Sequence, residues 1–168
     1  MRAFGRRPRA AAADLRDSAD AAFQCACRLL GYRDRSTAEL TAKLRERGFS
    51  PKAVETALHL LTERNLLDDQ RFARSYRDIQ LRRGRSLRLI VQELKRTHGI
   101  EELPPDPDED PDAGILAILR RRFGHLPDSP AVRRRITGFL LRRGFDYDSI
   151  RRLSGILQKR IANADQDA

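Results

Sequence analysis

The chain has 168 residues, a net charge of +10 at pH 7 and an apolar fraction of 40%. No apolar run approaches the ~20 residues that a membrane-spanning helix needs, and the N-terminal residues combine Arg and Ala without the apolar core of a secretory signal. Composition therefore argues against a membrane or secreted protein and favours a cytoplasmic one. Its partner is expected to be a polyanion or an acidic protein surface, and a basic surface that only keeps the protein soluble is the alternative.

Cysteine and histidine spacing gives no sign of a metal or redox site. Cys25 and Cys27 lie two residues apart on a predicted helix, where they point to different sides. His59, His98 and His125 have no metal-ligand spacing with them. We therefore expect packed thiols in a reducing compartment, no metal and no cofactor.

Helical periodicity runs through the chain, and strand signals are absent. Ser36-Thr37-Ala38-Glu39 matches a capping box, while Ser50-Pro51 and Ser129-Pro130 each place an N-cap before a proline at N1. Gly31 and Gly48 fit the position just after a helix end. The predicted helices span residues of about 20–30, 36–47, 51–64, 69–83, 86–98, 112–123, 130–143 and 147–161.

The segment between the third and fourth predicted helices carries several helix-start signals at once. Asp68 is placed as the N-cap of the fourth helix, with Leu67 at N′ and Phe72 at N4, the two positions of a hydrophobic staple. The neighbouring carboxylates of Asp68 and Asp69 resemble a catalytic pair, but capping accounts for both. We predict that Leu67, Asp68, Asp69 and Phe72 form a structural joint.

A proline-rich acidic segment interrupts the helical pattern. Residues 101–111 contain four prolines and cannot form a regular helix. Residues 101–112 also hold seven acidic side chains and no basic one. We predict an exposed acidic linker at 101–111, a disordered basic tail at 1–19 and a second tail at 162–168.

An internal repeat emerges when Gly48, Gly99 and Gly144 are aligned. The apolar positions that match around the first and third glycines are Leu40/Ile136, Leu44/Leu140, Phe49/Phe145, Val54/Ile150 and Leu61/Leu157. The middle copy has one extra residue between Leu94 and Gly99, and its third helix is degenerate. We predict an all-α protein of three tandem three-helix repeats that form an elongated, curved molecule. The repeats are expected at residues 20–65, 66–111 and 112–161.

Three motifs carry a family resemblance. They are Arg35-Ser36-Thr37-Ala38-Glu39-Leu40 with Leu44 and Gly48-Phe49; Leu66-Leu67-Asp68-Asp69-Gln70-Arg71-Phe72-Ala73; and Arg82-Arg83-Gly84 followed by Ile90, Glu93-Leu94 and Gly99-Ile100. With these motifs the chain resembles the RecX family of RecA regulators over about residues 21–157. The resemblance implies a cytoplasmic protein that binds in the groove of the RecA–DNA filament, contacts neighbouring protomers and suppresses recombinase, ATPase and coprotease activity. It implies no catalysis, and we expect a monomer.

Basic side chains concentrate on both sides of the acidic linker. Guanidinium groups suit phosphate and carboxylate partners alike, so we predict that these clusters contact RecA or the phosphates of single- or double-stranded DNA. The predicted contact residues are Arg82, Arg83, Arg85, Arg88, Arg120, Arg121, Arg122, Arg133, Arg134, Arg135, Arg142 and Arg143. Solvated helix faces without a partner are the simpler alternative.

Two other functional classes remain open. The helices around Gly48 resemble a helix-turn-helix, which would suit a DNA-binding transcriptional regulator. However, the helix in the recognition position carries Lys52, Glu55, Glu63 and Arg64 and is not basic. A structural adaptor without nucleic acid is the third reading. No phosphate loop or catalytic constellation occurs, so we do not expect an enzyme.

Overall fold

The structure, a computed structural model, describes residues 16–106, 110–124 and 129–164. Within these ranges there are eight α-helices of ten or more residues and no β-strand. The helices are α1 (Ala19–Tyr32), α2 (Thr37–Glu46), α3 (Pro51–Glu63), α4 (Asp69–Arg82), α5 (Leu87–His98), α6 (Ala113–Phe123), α7 (Pro130–Leu141) and α8 (Tyr147–Ala164). The all-α prediction is confirmed.

The chain divides into two compact units. The first contains the described residues up to Phe72 together with Thr97–Gly99. The second contains Ala73–Arg96 and the described residues from Ile100 onward. The predicted middle repeat, residues 66–111, therefore contributes to both units.

The core of the first unit forms where α1, α2 and α3 pack together. Leu40, Leu44 and Leu61 are fully buried in it, and burying a leucine side chain contributes about 1.5–3 kcal/mol. Ala22 of α1 packs with two alanines of α3 in a small cluster, where short side chains let the two helices approach closely. The periodic apolar residues of the sequence thus supply a main leucine-rich core and a small alanine cluster.

Serine caps open the helices as the sequence indicates. Ser36 Oγ accepts from the Glu39 N–H at 3.2 Å, and Ser50 Oγ accepts from the Ala53 N–H at 3.4 Å. Ser129 does the same for α7. Ser18 is the N-cap of α1, so this helix begins one residue before the predicted boundary at residue 20. Residues 1–15 of the predicted basic tail and residues 107–109 of the acidic segment lie outside the described residues.

The end of α1 differs from the prediction. Gly31 is not the residue after the helix, because α1 continues through it to Tyr32 and Arg33 is the C-cap. The Arg35 side chain donates to the Leu29 carbonyl at 3.3 Å and so satisfies one of the carbonyls that the helix end leaves free. Glycine permits a helix end but does not require one.

The turns at the repeat glycines are alike. Gly48 and Gly144 have φ of 85° and 86°, the left-handed region that glycine occupies at little cost. The N–H groups of Phe49 and Phe145 each bond to the carbonyl five residues earlier at 3.2 Å, which is the Schellman arrangement. Gly99 also has a positive φ, and the next N–H bonds six residues back. The extra residue of the middle copy is absorbed inside this turn.

The second unit packs the last three helices against the end of α4 and the start of α5. Its core centres on Phe123 and Phe139, whose rings meet edge to face at 5.5 Å. The Ser86 hydroxyl, at the start of α5, donates to the Gly144 carbonyl at 2.7 Å. A Cβ on Gly114 would lie 2.2 Å from the Leu81 carbonyl oxygen, so α6 passes directly against the end of α4.

The acidic linker is attached to this unit along its first half. Residues 101–106 are not helical, in agreement with their prolines. Arg77 of α4, which is only 2% exposed, donates to the Pro104 carbonyl at 2.7 Å and lies 3.1 Å from the Asp106 carboxylate. Arg152 of α8 pairs with Asp112 beyond the linker. Because a buried guanidinium needs such partners, Arg77 ties the linker to α4.

Candidate partner-binding surface

The predicted joint has an architectural role. Asp68 Oδ1 accepts from the N–H groups of Gln70 and Arg71 at 2.8 and 2.9 Å, which confirms its prediction as the N-cap of α4. Leu67 and Phe72 are buried in the first unit. Asp68 therefore caps α4, with the side chains of Leu67 and Phe72 buried on either side of it along the chain.

Asp69 has a function that sequence reasoning missed. Its Oδ1 accepts from the N–H of Thr37 at 2.8 Å, 32 residues away. Thr37 is the first residue of α2, so Asp69 satisfies a free N–H group at the start of another helix. The adjacent carboxylates of Asp68 and Asp69 therefore cap two different helices. The two groups are not arranged as a catalytic pair.

A buried histidine lies in the same region of the first unit, between the start of α2 and the joint residue Phe72. His98 is 6% exposed, and its Nδ1 lies 3.1 Å from Ser36 Oγ and 3.9 Å from a Glu39 carboxylate oxygen. Its ring centroid is 4.8 Å from that of Phe72. No local sequence pattern predicts a contact between residues 62 positions apart.

The arginines of the α4–α5 turn separate into two kinds. Arg82, Arg83 and Arg88 are exposed. Arg85 instead makes two hydrogen bonds to the Glu93 carboxylate, at 2.7 and 2.5 Å. A bidentate pair of this kind holds the side chain in place, so Arg85 stabilises the fold of the second unit.

Tyr76 joins the Arg85–Glu93 pair by donating to Glu93 Oε2 at 2.7 Å. Burial, followed by the hydrogen bond to Glu93, raises the pKa of Tyr76. Burial also pushes the pKa of Glu93 upward, but the hydrogen bonds from Tyr76 and Arg85 outweigh it and leave that pKa lowered. The network therefore favours a neutral tyrosine and an ionised glutamate at pH 7.

The arginines of α6 and α7 surround a cavity of about 240 Å³. We call it the arginine pocket. Its lining residues are Arg122, Phe123, Arg134, Arg135, Gly138, Phe139 and Arg142. Three of the remaining predicted residues, Arg120, Arg121 and Arg133, are exposed on the same two helices. The structure thus brings four of the twelve predicted arginines to one cavity.

Arg143 lies beside the arginine pocket and stacks on its aromatic wall. Its guanidinium carbon is 3.8 Å from the centroid of Phe139, and that of Arg122 is 5.1 Å from the same ring. Burial, together with the positive charges of Arg122 and Arg142, lowers the pKa of Arg143. The ring supplies a favourable cation–π surface, but the neighbouring charges repel one another.

Within the described ranges, no ion pair involves Arg122, Arg134, Arg135, Arg142 or Arg143. Buried and half-buried arginines elsewhere, such as Arg77 and Arg85, do have carboxylate partners. The pocket arginines therefore have the capacity to bind an external anion.

The described residues contain no group of three His, Cys, Asp or Glu side chains that could hold a metal ion. None of the helices in the described ranges is both long and apolar enough to cross a membrane.

Comparisons with known proteins agree on one family. Residues 22–61 match the model of the first three-helix domain of RecX, and residues 108–153 match that of the third. The regulatory protein RecX of Halorhodospira halophila is 38% identical over 141 residues, covering 80% of this chain and 86% of that protein. The RecX of Pseudomonas fluorescens is 36% identical over 144 residues, covering 82% and 92%.

A solved structure shows the same fold. The crystal structure of RecX from Lactobacillus salivarius matches with a TM-score of 0.62 and 20% identity, covering 87% of this chain and 98% of that one. At this identity the likeness concerns the arrangement of the helices alone. The sequence relatives carry a regulatory name, in agreement with the family resemblance drawn from the motifs.

Proposed function

Because this chain belongs to the RecX family, we propose that it is a negative modulator of the RecA recombinase. It binds along the groove of the RecA–DNA filament and inhibits recombinase, ATPase and coprotease activity. Its three repeats, at residues 20–65, 66–111 and 112–161, supply the helical framework, and it acts in the cytoplasm as a monomer without a cofactor.

The observation that carries this proposal is the distribution of free positive charge. Exposed arginines for which the described ranges show no carboxylate partner occupy the α4–α5 turn and helices α6 and α7; they are Arg82, Arg83, Arg88, Arg120, Arg121, Arg122, Arg134, Arg135 and Arg142. Guanidinium groups in such positions suit phosphate oxygens and acidic side chains equally well. A filament of RecA on DNA offers both kinds of group along its whole length.

Binding at several points explains how modest contacts would suffice. Once one arginine cluster is bound, the next is held close to its own partner, which raises its effective concentration. A protein held in this way would hinder strand exchange and slow the gain and loss of subunits. Phosphate contacts would also make the inhibition weaken as salt concentration rises.

A helix-turn-helix transcriptional regulator is less well supported. The α3 helix would occupy the recognition position, but Glu55 and Glu63 are exposed on it next to Lys52. Arg64, at its C-cap, lies 4.8 Å from the ring centroid of Phe23 and is engaged within the first unit. A helix of this charge is poorly suited to the major groove.

A DNA-dependent ATPase assay of RecA filaments tests the proposal. We expect the full chain, added at a stoichiometric ratio, to lower the ATPase rate at low salt and to lose this effect as salt increases. An unchanged rate across the whole salt series would contradict the proposal. A gel shift on random duplex DNA and a footprint, both without RecA, test the alternative: a discrete protected site in the footprint would support the transcriptional regulator instead.

A further inference from the structure

The residues that line the arginine pocket on α7 differ from those at the aligned positions of the first repeat. When Gly48 is aligned with Gly144, helix α2 aligns with α7 position by position. The aligned pairs are Glu39/Arg135, Ala42/Gly138, Lys43/Phe139 and Glu46/Arg142. Two acidic positions of the first repeat are thus arginines in the third, and an alanine is a glycine. The charge and size of these lining residues are therefore specific to the third repeat and do not follow from the turn geometry that both repeats share.

The positive charge at the pocket is not balanced within the described part of the chain. Arg143 Nε is buried and has no hydrogen-bond partner, which is costly for a charged group. Arg122 and Arg142 are close enough to disfavour its charge. In the first repeat, the Glu39 carboxylate lies 2.9 Å from Arg33, and that of Glu46 lies 2.8 Å from Lys43. Within the described residues, the pocket arginines of the third repeat have no carboxylate of this kind beside them.

Size limits the kind of anion. The pocket measures about 240 Å³, which is below the roughly 300–1,000 Å³ typical of sites for drug-sized ligands. It therefore has room for one small anionic group between the arginine side chains. Arginine forks donate two parallel N–H groups to a phosphate, which adds geometric selectivity to charge attraction.

Gly138 helps to make this space. A glycine in a helix interior is less favourable than alanine, and the aligned residue of α2 is Ala42. A Cβ added at Gly138 would lie 3.5 Å from a terminal nitrogen of Arg142, an ordinary contact distance. The helix could therefore carry alanine at this position, but the added methyl group would enter the pocket.

We propose that the arginine pocket binds a single phosphate group, held by Arg122, Arg134 and Arg142 above the Phe139 ring. This inference deepens the proposed function, because the DNA backbone is one source of such a group. A free oligophosphate is the other source, and the two share the same chemistry at the pocket.

Titration of the full chain with inorganic pyrophosphate at fixed ionic strength tests this inference. Two-dimensional NMR of the arginine Nε–Hε groups follows the binding at individual side chains. We expect saturable shifts of the pocket arginines, and no such shifts with sodium chloride at matched ionic strength. A response that stays linear, or that chloride reproduces, would show only charge screening and would overturn the proposal.

Matched variants locate the site. Arg134→Gln with Arg142→Gln removes two charges from the pocket and should weaken pyrophosphate binding by about tenfold or more. Arg28→Gln with Arg45→Gln removes the same charge from exposed positions of the first unit, outside the pocket, and should leave the affinity unchanged. Equal losses in the two double variants would overturn the proposal.

The Gly138→Ala variant separates binding from folding. We expect a higher melting temperature, because alanine favours the helix, together with weaker pyrophosphate binding. Tighter or unchanged binding would contradict a site at this cavity. The prediction does not depend on any loss of structure.

Competition identifies the source of the phosphate. Displacement of pyrophosphate by a short thymidine oligonucleotide would assign the pocket to the DNA backbone, whereas no displacement would assign it to a free oligophosphate. The titration contains no RecA, so its failure would leave the inhibition of RecA untouched. Loss of ATPase inhibition with intact pyrophosphate binding would count against the proposed function alone.

Discussion

The first and third repeats share their turn geometry but use their charged residues differently. Arg47 and Arg143 occupy equivalent positions just before the repeat glycines. Arg47 donates to Cys25 Sγ at 2.7 Å, whereas Arg143 stacks on Phe139 among other arginines. In the first repeat, Arg47 and the carboxylates of Glu39 and Glu46 have partners within the repeat. In the third repeat, the arginines at the aligned positions have no ion-pair partner in the described ranges, and their positive charge is available for a partner molecule.

The largest effects on stability are expected from substitutions in the core that the two repeats share. Leu44 and Leu140 are aligned, and both are fully buried. Leu44→Ala and Leu140→Ala should each lower the free energy of unfolding by about 2–5 kcal/mol, because each leaves a cavity in a packed core. Urea unfolding combined with hydrogen exchange would measure the loss and assign it to α2 or α7. A negligible loss of unfolding free energy in either variant would contradict the equivalence of the two repeats.

The joint is expected to contribute less. Asp69→Ala removes the acceptor for the Thr37 N–H and should cost about 1 kcal/mol of stability, as loss of a helix cap does. Asp69→Asn keeps an acceptor oxygen and should lose less. Thermal melting of both variants measures the difference, and equal losses would show that the cap is not the cause.

The long-range contacts of Asp69 and His98 also show how far the sequence could predict the structure. Serine caps, the repeat glycines Gly48, Gly99 and Gly144 and the periodic leucines are local signals that correctly indicate the helices and the repeat, whereas Gly31 lies within α1. The partners of Asp69 and His98 lie 32 and 62 residues away. Such contacts depend on tertiary packing, for which a single sequence has no marker.

The arginine clusters illustrate the same limit. Twelve arginines were predicted as contacts from charge density alone, and nothing in their spacing distinguishes Arg85 from its neighbours. Only packing shows that Arg85 is bound to Glu93, eight residues along the chain, while four others line one cavity. Charge reversal at Arg85 would therefore disturb the fold, and this residue is unsuitable for testing partner contact.

The Glu93 network predicts a pH effect confined to the second unit. Because the pKa of Glu93 is lowered in the folded protein, its ionised form adds stability above the ordinary glutamate pKa, and this stability is lost as pH falls through the folded value. Glu93→Gln should remove that part of the pH dependence. Urea midpoints between neutral and acidic pH would measure it, and identical pH profiles for both proteins would contradict the role of this network.

The smallest expected stability effect comes from copying the charges of the first repeat into the third. Arg135→Glu with Arg142→Glu restores the acidic residues found at Glu39 and Glu46. We expect a gain of about 0.2–1 kcal/mol, since carboxylates would relieve repulsion among exposed guanidinium groups. Thermal melting measures this gain. Clear destabilisation would mean that the arginines already have compensating partners.

The central claim is that free positive charge on the second unit carries the inhibition of RecA. The most direct test is the ATPase rate of RecA filaments with three proteins over a salt series. They are the wild type, a variant with Arg82, Arg83 and Arg88 changed to Glu, and a control with the exposed residues Arg28, Arg45 and Lys52 of the first unit changed to Glu. Both variants change the net charge equally.

We predict that the wild type and the first-unit control inhibit alike and that the second-unit variant loses inhibition. Circular dichroism would confirm that all three proteins keep their helical content. Equal inhibition by all three proteins, or equal loss in the two variants, would contradict the account.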